Sequence, residues 1–224
     1  MQPGQPLIDF SWIGDHLGQI AERIGQHLEL TILPVAIGFV IALILSIWAV
    51  RQPIVYGPIT VVTGVLYTIP SLAAFAVLTP ITGLSLLSAL IPLVTYTLLI
   101  LVRSIVAGFR GVPPDVLEAA EGMGYTSTQR LIRVELPLAV PMMITGLRLA
   151  TVSAIGLATV ASIIGGDTFG GLGQLITEGL QTFFPTKYLL GALLSIVLAV
   201  GADIFFVQLE HLITPWARNP GRAV

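Results

Sequence analysis

TILPVAIGFVIALILSIWAV, residues 31–50, carries no charge and stops at Arg51. About 20 apolar residues coil into a helix that crosses a hydrocarbon layer about 30 Å thick, so this stretch reads as a membrane span. Beyond Arg51 the pattern repeats on a larger scale: Ile54 to Val102 holds no charged side chain. Over the 224 residues, 55% are apolar and 10% charged, with a mean hydropathy of +0.94. Soluble domains carry about 25% charged residues, so the polar coat of a water-soluble fold is missing. A disordered chain, a nucleic-acid binder and an ordinary cytosolic enzyme are excluded on that count. The formal net charge of −2 supplies no basic patch for phosphate backbones. The absence of cysteine removes disulfide frameworks and thiolate chemistry.

Working outward, residues 1–30 are polar, with Asp9, Asp15, Glu22 and Glu29 against Arg23. A secretory leader needs a basic start, a shorter apolar core and a small-residue cleavage site, and none is present, so residues 31–50 read as a retained anchor. The run from Ile54 to Val102 divides best into two spans, Gly57 to Leu78 and Ala89 to Phe109, with Pro70 kinking the first and Thr79 to Ser88 as the turn. Two more follow, Met142 to Ile164 and Tyr188 to Ile213, separated by the glycine-rich segment Gly165 to Lys187. The expectation is an all-α integral membrane protein of five spans, with six as the alternative. Residues 31–213 form its transmembrane domain and residues 214–224 a cytoplasmic tail. Arg103, Arg110, Arg130, Arg133 and Arg148 lie in or beside the polar loop 110–141, which positive-inside counting places in the cytoplasm together with Arg218 and Arg222.

That loop is the longest polar interior stretch. Pro114 and Asp115 are helix-start residues, and Gly124 suits the left-handed turn that stops a helix. Val116, Leu117 and Ala120 share one side, and Glu118 and Glu121 another. Thr126 and Gln129 have capping-box spacing, predicting a second short helix with Arg130 and Arg133 that ends near Leu136-Pro137. Two short helices at an angle would project from the membrane as a knob for a partner's groove; an interfacial surface loop is the alternative.

Glu118-Ala119-Ala120, then Gly124, then Val134-x-Leu136-Pro137 resembles the EAA loop of binding-protein-dependent ABC importer permeases, with Val134 replacing an isoleucine. The resemblance extends from about Thr31 to Trp216. It implies that Val116, Leu117, Glu118, Ala119, Ala120 and Gly124 couple the chain to a cytoplasmic ATPase. It also implies a second permease copy or paralogue and an extracytoplasmic substrate-binding protein as partners, in the cell's inner membrane. Thr68-Ile69-Pro70-Ser71-Leu72-Ala73, Gly156-Leu157-Ala158-Thr159-Val160-Ala161 and Gly170-Gly171-Leu172-Gly173 resemble the osmoprotectant subfamily, whose cargoes are glycine betaine, choline or carnitine. Against the family's Gly-Ala-Gly-Gly-Leu-Gly, Gly165-Gly166-Asp167-Thr168-Phe169 lengthens the outer loop by three residues. Methionine-type permeases share the general pattern, so an amino-acid cargo is the alternative.

No Gly-x-x-x-x-Gly-Lys-Ser/Thr loop is present, so the chain reads as a transport subunit and not an ATPase. A membrane-embedded enzyme would need ionisable residues clustered at one depth, and only Arg148 and Asp203 approach that; a self-contained channel would need no ATPase. Charges inside spans are costly. Arg148 and Asp203 are therefore expected to pair across helices or to line the substrate path, with Ser153 and Thr159 as further polar candidates. Gly146, Ala150, Ser153, Ala154, Gly156, Ala158, Ala161 and Ser162 form a small-residue seam suited either to a pore or to tight packing within the chain. Tyr67, Phe75 and Trp48 are rings that could stack on a quaternary ammonium group, although aromatics in spans more often face lipid. Asp167 belongs to the outer mouth. His16, His27 and His211 lack metal-ligand spacing, and neither metal nor cofactor is expected.

Overall fold

The computed structural model describes residues 7–165 and 169–218, and every element among them is helical. Chain order is α1 (Phe10–Asp15), α2 (Leu17–Arg51), α3 (Tyr56–Thr68), α4 (Ser71–Thr82), α5 (Leu86–Arg110), α6 (Pro114–Gly122), α7 (Ser127–Arg130), α8 (Leu136–Gly165), α9 (Leu172–Gln181) and α10 (Pro185–Ile213). Four helical stretches are long and apolar enough to cross a membrane: α2, α5, the continuous Ser127–Ser162 and α10. The bent pair Pro53–Thr68 and Ser71–Thr82 makes a fifth span when taken as one. Five is the number expected from the apolar runs.

The helices pack where their small residues lie. α2 and α5 form the most extensive contact, and α5 and α8 the next. A Cβ placed on Gly108 of α5 would stand 2.8 Å from the Ala139 carbonyl of α8, so only glycine permits that approach. Ala42, Ala49, Leu101, Ile105, Phe109 and Met143 make one core at the α6 end. Leu30, Phe75, Leu93, Ala158, Ala161 and Phe169 make a second at the opposite end. Ile44, Val61, Ile81, Leu193 and Ile196 remain exposed, as lipid-facing positions require.

Several boundaries differ from the sequence reading. The turn expected over Thr79 to Ser88 narrows to residues 83–85, because α4 runs on to Thr82 and α5 starts at Leu86. α2 begins at Leu17, ahead of the apolar run that starts at Thr31, because the polar residues before Thr31 lie on one side of a helix: Ile20, His27 and Leu30 are buried while Glu22 and Glu29 are exposed. Pro70 does more than kink the second span. Ile69 and Pro70 are both extended (ψ 127° and 129°), and the two halves meet at 90°. Proline removes a backbone donor and disfavours the helical conformation of the residue before it. Finally, the helix that starts at Ser127 does not end at Leu136-Pro137. A π-helical turn, Leu131–Glu135, carries it directly into α8, with the Leu136 N–H donating to the Leu131 carbonyl. The wider turn brings the chain to Pro137, which has no N–H to donate, without breaking the helix. The glycine-rich segment expected between the last two spans also contains a helix, α9, whose Leu172, Leu175 and Gly179 pack inward.

Candidate functional site

The start, stop and cap signals at the α6 end form as their spacing predicts, although the second helix of the expected knob is the beginning of the long span that continues into α8. Pro114 occupies the first turn of α6, and Asp115 stands beside the free N–H groups. Gly124 holds φ at 81°, where a side chain is strained, and turns the chain out of α6. Thr126 and Gln129 close the capping box: the Gln129 N–H donates to Thr126 Oγ1 at 3.3 Å and the Thr126 N–H to Gln129 Oε1 at 2.9 Å. Ala120 is buried and Leu117 half-buried, whereas Val116, Glu118 and Ala119 are exposed. Glu118 and Glu121 therefore part company. Glu121 pairs with Arg130, and Arg130 Nε donates to Glu135 Oε1 at 2.7 Å. Arg130 thus clamps α6 to the π-helical turn and ties the short helix to the start of the long one. Glu118 makes no ion pair among the described residues and faces outward. The Glu121–Arg130–Glu135 bridge was not expected; the spacing of nine and five residues was in view, but nothing local marks such a pair.

Arg148 and Asp203 meet. Arg148 Nη2 donates to Asp203 Oδ2 at 2.8 Å, and Nε completes a two-pronged pair with Oδ1. Of the two expectations for these residues, pairing across helices is the arrangement formed, joining α8 to α10.

The small-residue seam divides in two. Ala150, Ala154, Ala158, Ala161 and Ser162 are buried, and Gly146 lies against Ser104, so these serve packing within the chain. Ser153 and Gly156, on another face of α8, line a cavity of about 400 Å³ with Tyr67, Ser71 and Tyr96. This cavity opens where α3 breaks from α4. The Tyr96 hydroxyl donates to the free Ile69 carbonyl at 2.5 Å, and the two tyrosine rings meet edge to face at 5.9 Å. A second cavity of about 470 Å³, lined by Thr60, Gly64, Thr68, Leu99 and Arg103, continues along α3 and α5 and shares Tyr67 with the first. Thr159 does not join this face: its hydroxyl turns back to the Ile155 carbonyl at 3.2 Å. Of the three aromatic candidates, Phe75 is buried in the core, Trp48 donates to Gln52 at 3.3 Å, and Tyr67 borders this cavity. Asp167, with Gly166 and Thr168, lies outside the described residues, as does Arg222.

A helical bundle with a broken span, a polar-and-aromatic cavity at the break and a projecting two-helix knob defines a membrane transport subunit. Residues 28–214 match the family described as binding-protein-dependent transport system inner membrane component, and the chain belongs to it. Among its curated relatives is the glycine betaine/carnitine/choline transport system permease protein OpuCB of Bacillus subtilis, 33% identical over 88% of this chain and 90% of that protein. The carnitine transport permease protein OpuCB of Listeria monocytogenes is 36% identical over 88% and 89%. The osmoprotectant import permease protein OsmW of Salmonella typhimurium is 34% identical over 90% and 94%. The fold is that of the membrane subunit in the inward-facing MetNI methionine ABC transporter, with a TM-score of 0.78 at 20% identity over 89% of this chain and 98% of that one.

Proposed function

We propose that this chain forms the translocation path for a quaternary-amine osmoprotectant and couples it to a separate ATPase by alternating access. The observation that carries the coupling is the knob: a short helix held at a set angle by Arg130, presenting Glu118, Ala119 and Val116 outward, with no ion pair to Glu118 among the described residues. Glu118 makes polar contact in a cleft of the ATPase, Ala119 and Ala120 allow close approach, and Val116 and Leu117 add apolar contact beside them. Gly124 sets the turn between α6 and the long helix that begins at Ser127. ATP-driven closure of an ATPase dimer moves the α6 helices of two permease copies, and the differential contact between the two nucleotide states rocks the spans. An extracytoplasmic binding protein delivers the cargo to the opposite end. The quaternary-amine cargo is supported by the osmoprotectant relatives, and the cavity between Ser153, Tyr67 and Tyr96 supplies the place for it within the chain.

The test is gentle detergent extraction of the tagged chain from its own cells, with mass spectrometry of what co-purifies. An ATPase subunit recovered in near-equal amount, and lost from Glu118→Lys, is the expected result. A chain that purifies alone under every mild condition overturns the coupling. In vesicles containing the recovered complex, ATP-dependent choline or betaine uptake that methionine does not compete establishes the cargo.

A further inference from the structure

Two spans fix the outer level of the bilayer. Arg23 Nη2 of α2 stands 3.9 Å from Glu178 Oε1, and Lys187 Nζ of α10 donates to Glu178 Oε2 at 2.8 Å. One carboxylate on α9 thus holds a basic residue of each span at the same level. From there Arg23 lies 28 residues before Arg51, and Lys187 lies 26 residues before Ile213. At about 1.5 Å per residue both stretches come to about 40 Å, the thickness of a bilayer with its headgroup regions. The Arg23–Glu178–Lys187 line therefore marks the outer headgroup region, and Leu189 and Leu193, exposed on α10 just below it, face the acyl chains.

A set of rings is tied to that line. Trp12 of α1 stacks on His16, meets Phe184 edge to face at 5.5 Å and lies under Lys187 Nζ at 5.5 Å. The Asp9 N–H donates to Thr186 Oγ1 at 2.9 Å, so α1 is fastened to the first turn of α10. With Trp12 and His16, four apart, engaged on one face, Phe10, Ile13 and Leu17 recur on a second, and Ser11 and Asp15 on a third. The apolar second face is not covered by the chain: Phe10 is 78% exposed and Leu17 is exposed. The turn from α9 to α10 adds another outward ring. Phe183 holds φ at 54°, a left-handed conformation that glycine adopts without strain, and its side chain is 71% exposed. Phe183 borders a cavity of about 190 Å³ with Leu180, Pro185 and Tyr188, which joins this turn to the lipid-facing side of α10.

We propose that α1 and the Phe183 turn form an interfacial anchor that inserts Phe10, Leu17, Leu180 and Phe183 into the outer leaflet, where acyl chains meet headgroups. Lipid is the occupant because the patch is continuous with the exposed apolar face of α10 and lies at the level that Glu178 marks. Aromatic residues beside a lysine suit that depth, and a short helix with an apolar face lies in the interface plane. Charge sets the kind of attraction. Arg23 and Lys187 are half-buried and held by Glu178, whereas Asp15 and Glu22 are exposed. Anionic headgroups are therefore not what this surface seeks; the insertion is apolar and independent of lipid charge. The anchor sets the depth of the outer ends of α2 and α10, and it does not depend on which cargo is carried.

The chain has no cysteine, so Phe10→Cys, Phe183→Cys and Asp15→Cys each place one spin label in it. The complete transporter is reconstituted in phosphatidylcholine vesicles, with and without phosphatidylglycerol, and collisions of each label with oxygen and with a water-soluble nickel chelate are compared. Oxygen is expected to dominate at Phe10 and Phe183 and nickel at Asp15, in the same order in both lipid mixtures. Nickel dominating at either ring position overturns the anchor, and oxygen dominating at Asp15 as well overturns its interfacial depth. Lipid exposure that appears only with phosphatidylglycerol overturns the apolar insertion. Nickel access that falls only when an extracytoplasmic binding protein is added assigns the patch to that protein and overturns the lipid occupant. Leu17→Cys keeps both rings, and adding Phe10→Asp is expected to shift its label from oxygen toward nickel; a label that does not move shows that Phe10 holds nothing in the leaflet.

Discussion

Glu118 and Glu121 stand three residues apart on one short helix, and their surroundings give them different roles. Glu121 and Glu135 hold Arg130 from two sides. Removing Arg130 leaves Glu135, 8% exposed, as an uncompensated charge. Arg130→Ala is therefore expected to cost about 1–3 kcal/mol and to loosen ATPase binding. Glu121→Ala, at the exposed side of the clamp, is expected to cost less than about 1 kcal/mol. Reversible detergent unfolding of the two variants checks the order, and equal losses would contradict the clamp. At Gly124 the constraint is the backbone alone, since no atom lies within 4 Å of a Cβ placed there. Gly124→Val is expected to cost about 1–3 kcal/mol of strain and to uncouple hydrolysis from uptake while membrane insertion survives. Gly124→Asn, which tolerates positive φ, should retain most coupling. Parallel ATPase and uptake assays separate the two, and unchanged uptake in Gly124→Val would count against the knob as drawn.

At the scale of elements, prolines show how far local sequence reaches. Pro34, Pro80, Pro92 and Pro141 lie inside helices, and only Pro70 stands at a right-angled break. Proline chemistry is the same at each position. The difference at Pro70 is tertiary: Tyr96, from another helix, takes up the carbonyl that the break exposes at Ile69. Tyr96→Phe keeps the ring and removes that bond, so it is expected to lower stability by about 1–3 kcal/mol. The expected companion effect is a wider angle between α3 and α4, which spin-label distances across the break would read. Unchanged stability and distance would show that the break stands without Tyr96. The knob's helices were legible because their signals, a first-turn proline, a capping box and a turn glycine, act within a few residues. The continuation of α7 into α8 was not, because a π-helical turn has no comparable local signature and Leu136-Pro137 reads as a stop.

For the whole molecule, the weakly held part is α10: only 6% of its apolar stretch is buried within the chain. The Arg148–Asp203 pair is its strongest polar tie to α8. Both side chains are about one-third exposed, so the pair's worth depends on what surrounds it in the bilayer. Either single change, Arg148→Leu or Asp203→Leu, strands a charge in the span and is expected to destabilise more than the double variant, which strands none. A double-mutant cycle on unfolding in detergent and in lipid vesicles measures this, and simple additivity would mean the two side chains do not couple.

The amino-acid sequence by itself determined the membrane setting, the helical class and the local start and stop signals of the knob. Each depends on quantities local to the chain: the length of an apolar run, the distribution of arginine, the residues that start and stop a helix. Tertiary structure alone decided which polar residues meet and which line a cavity. Arg148 and Asp203 are 55 residues apart in the chain. Ser153 and Ala154 are adjacent small residues of one seam, yet Ser153 borders a cavity and Ala154 is buried. Helical periodicity groups residues into faces, but which face meets another helix depends on how the helices pack, and no single stretch of sequence contains that arrangement.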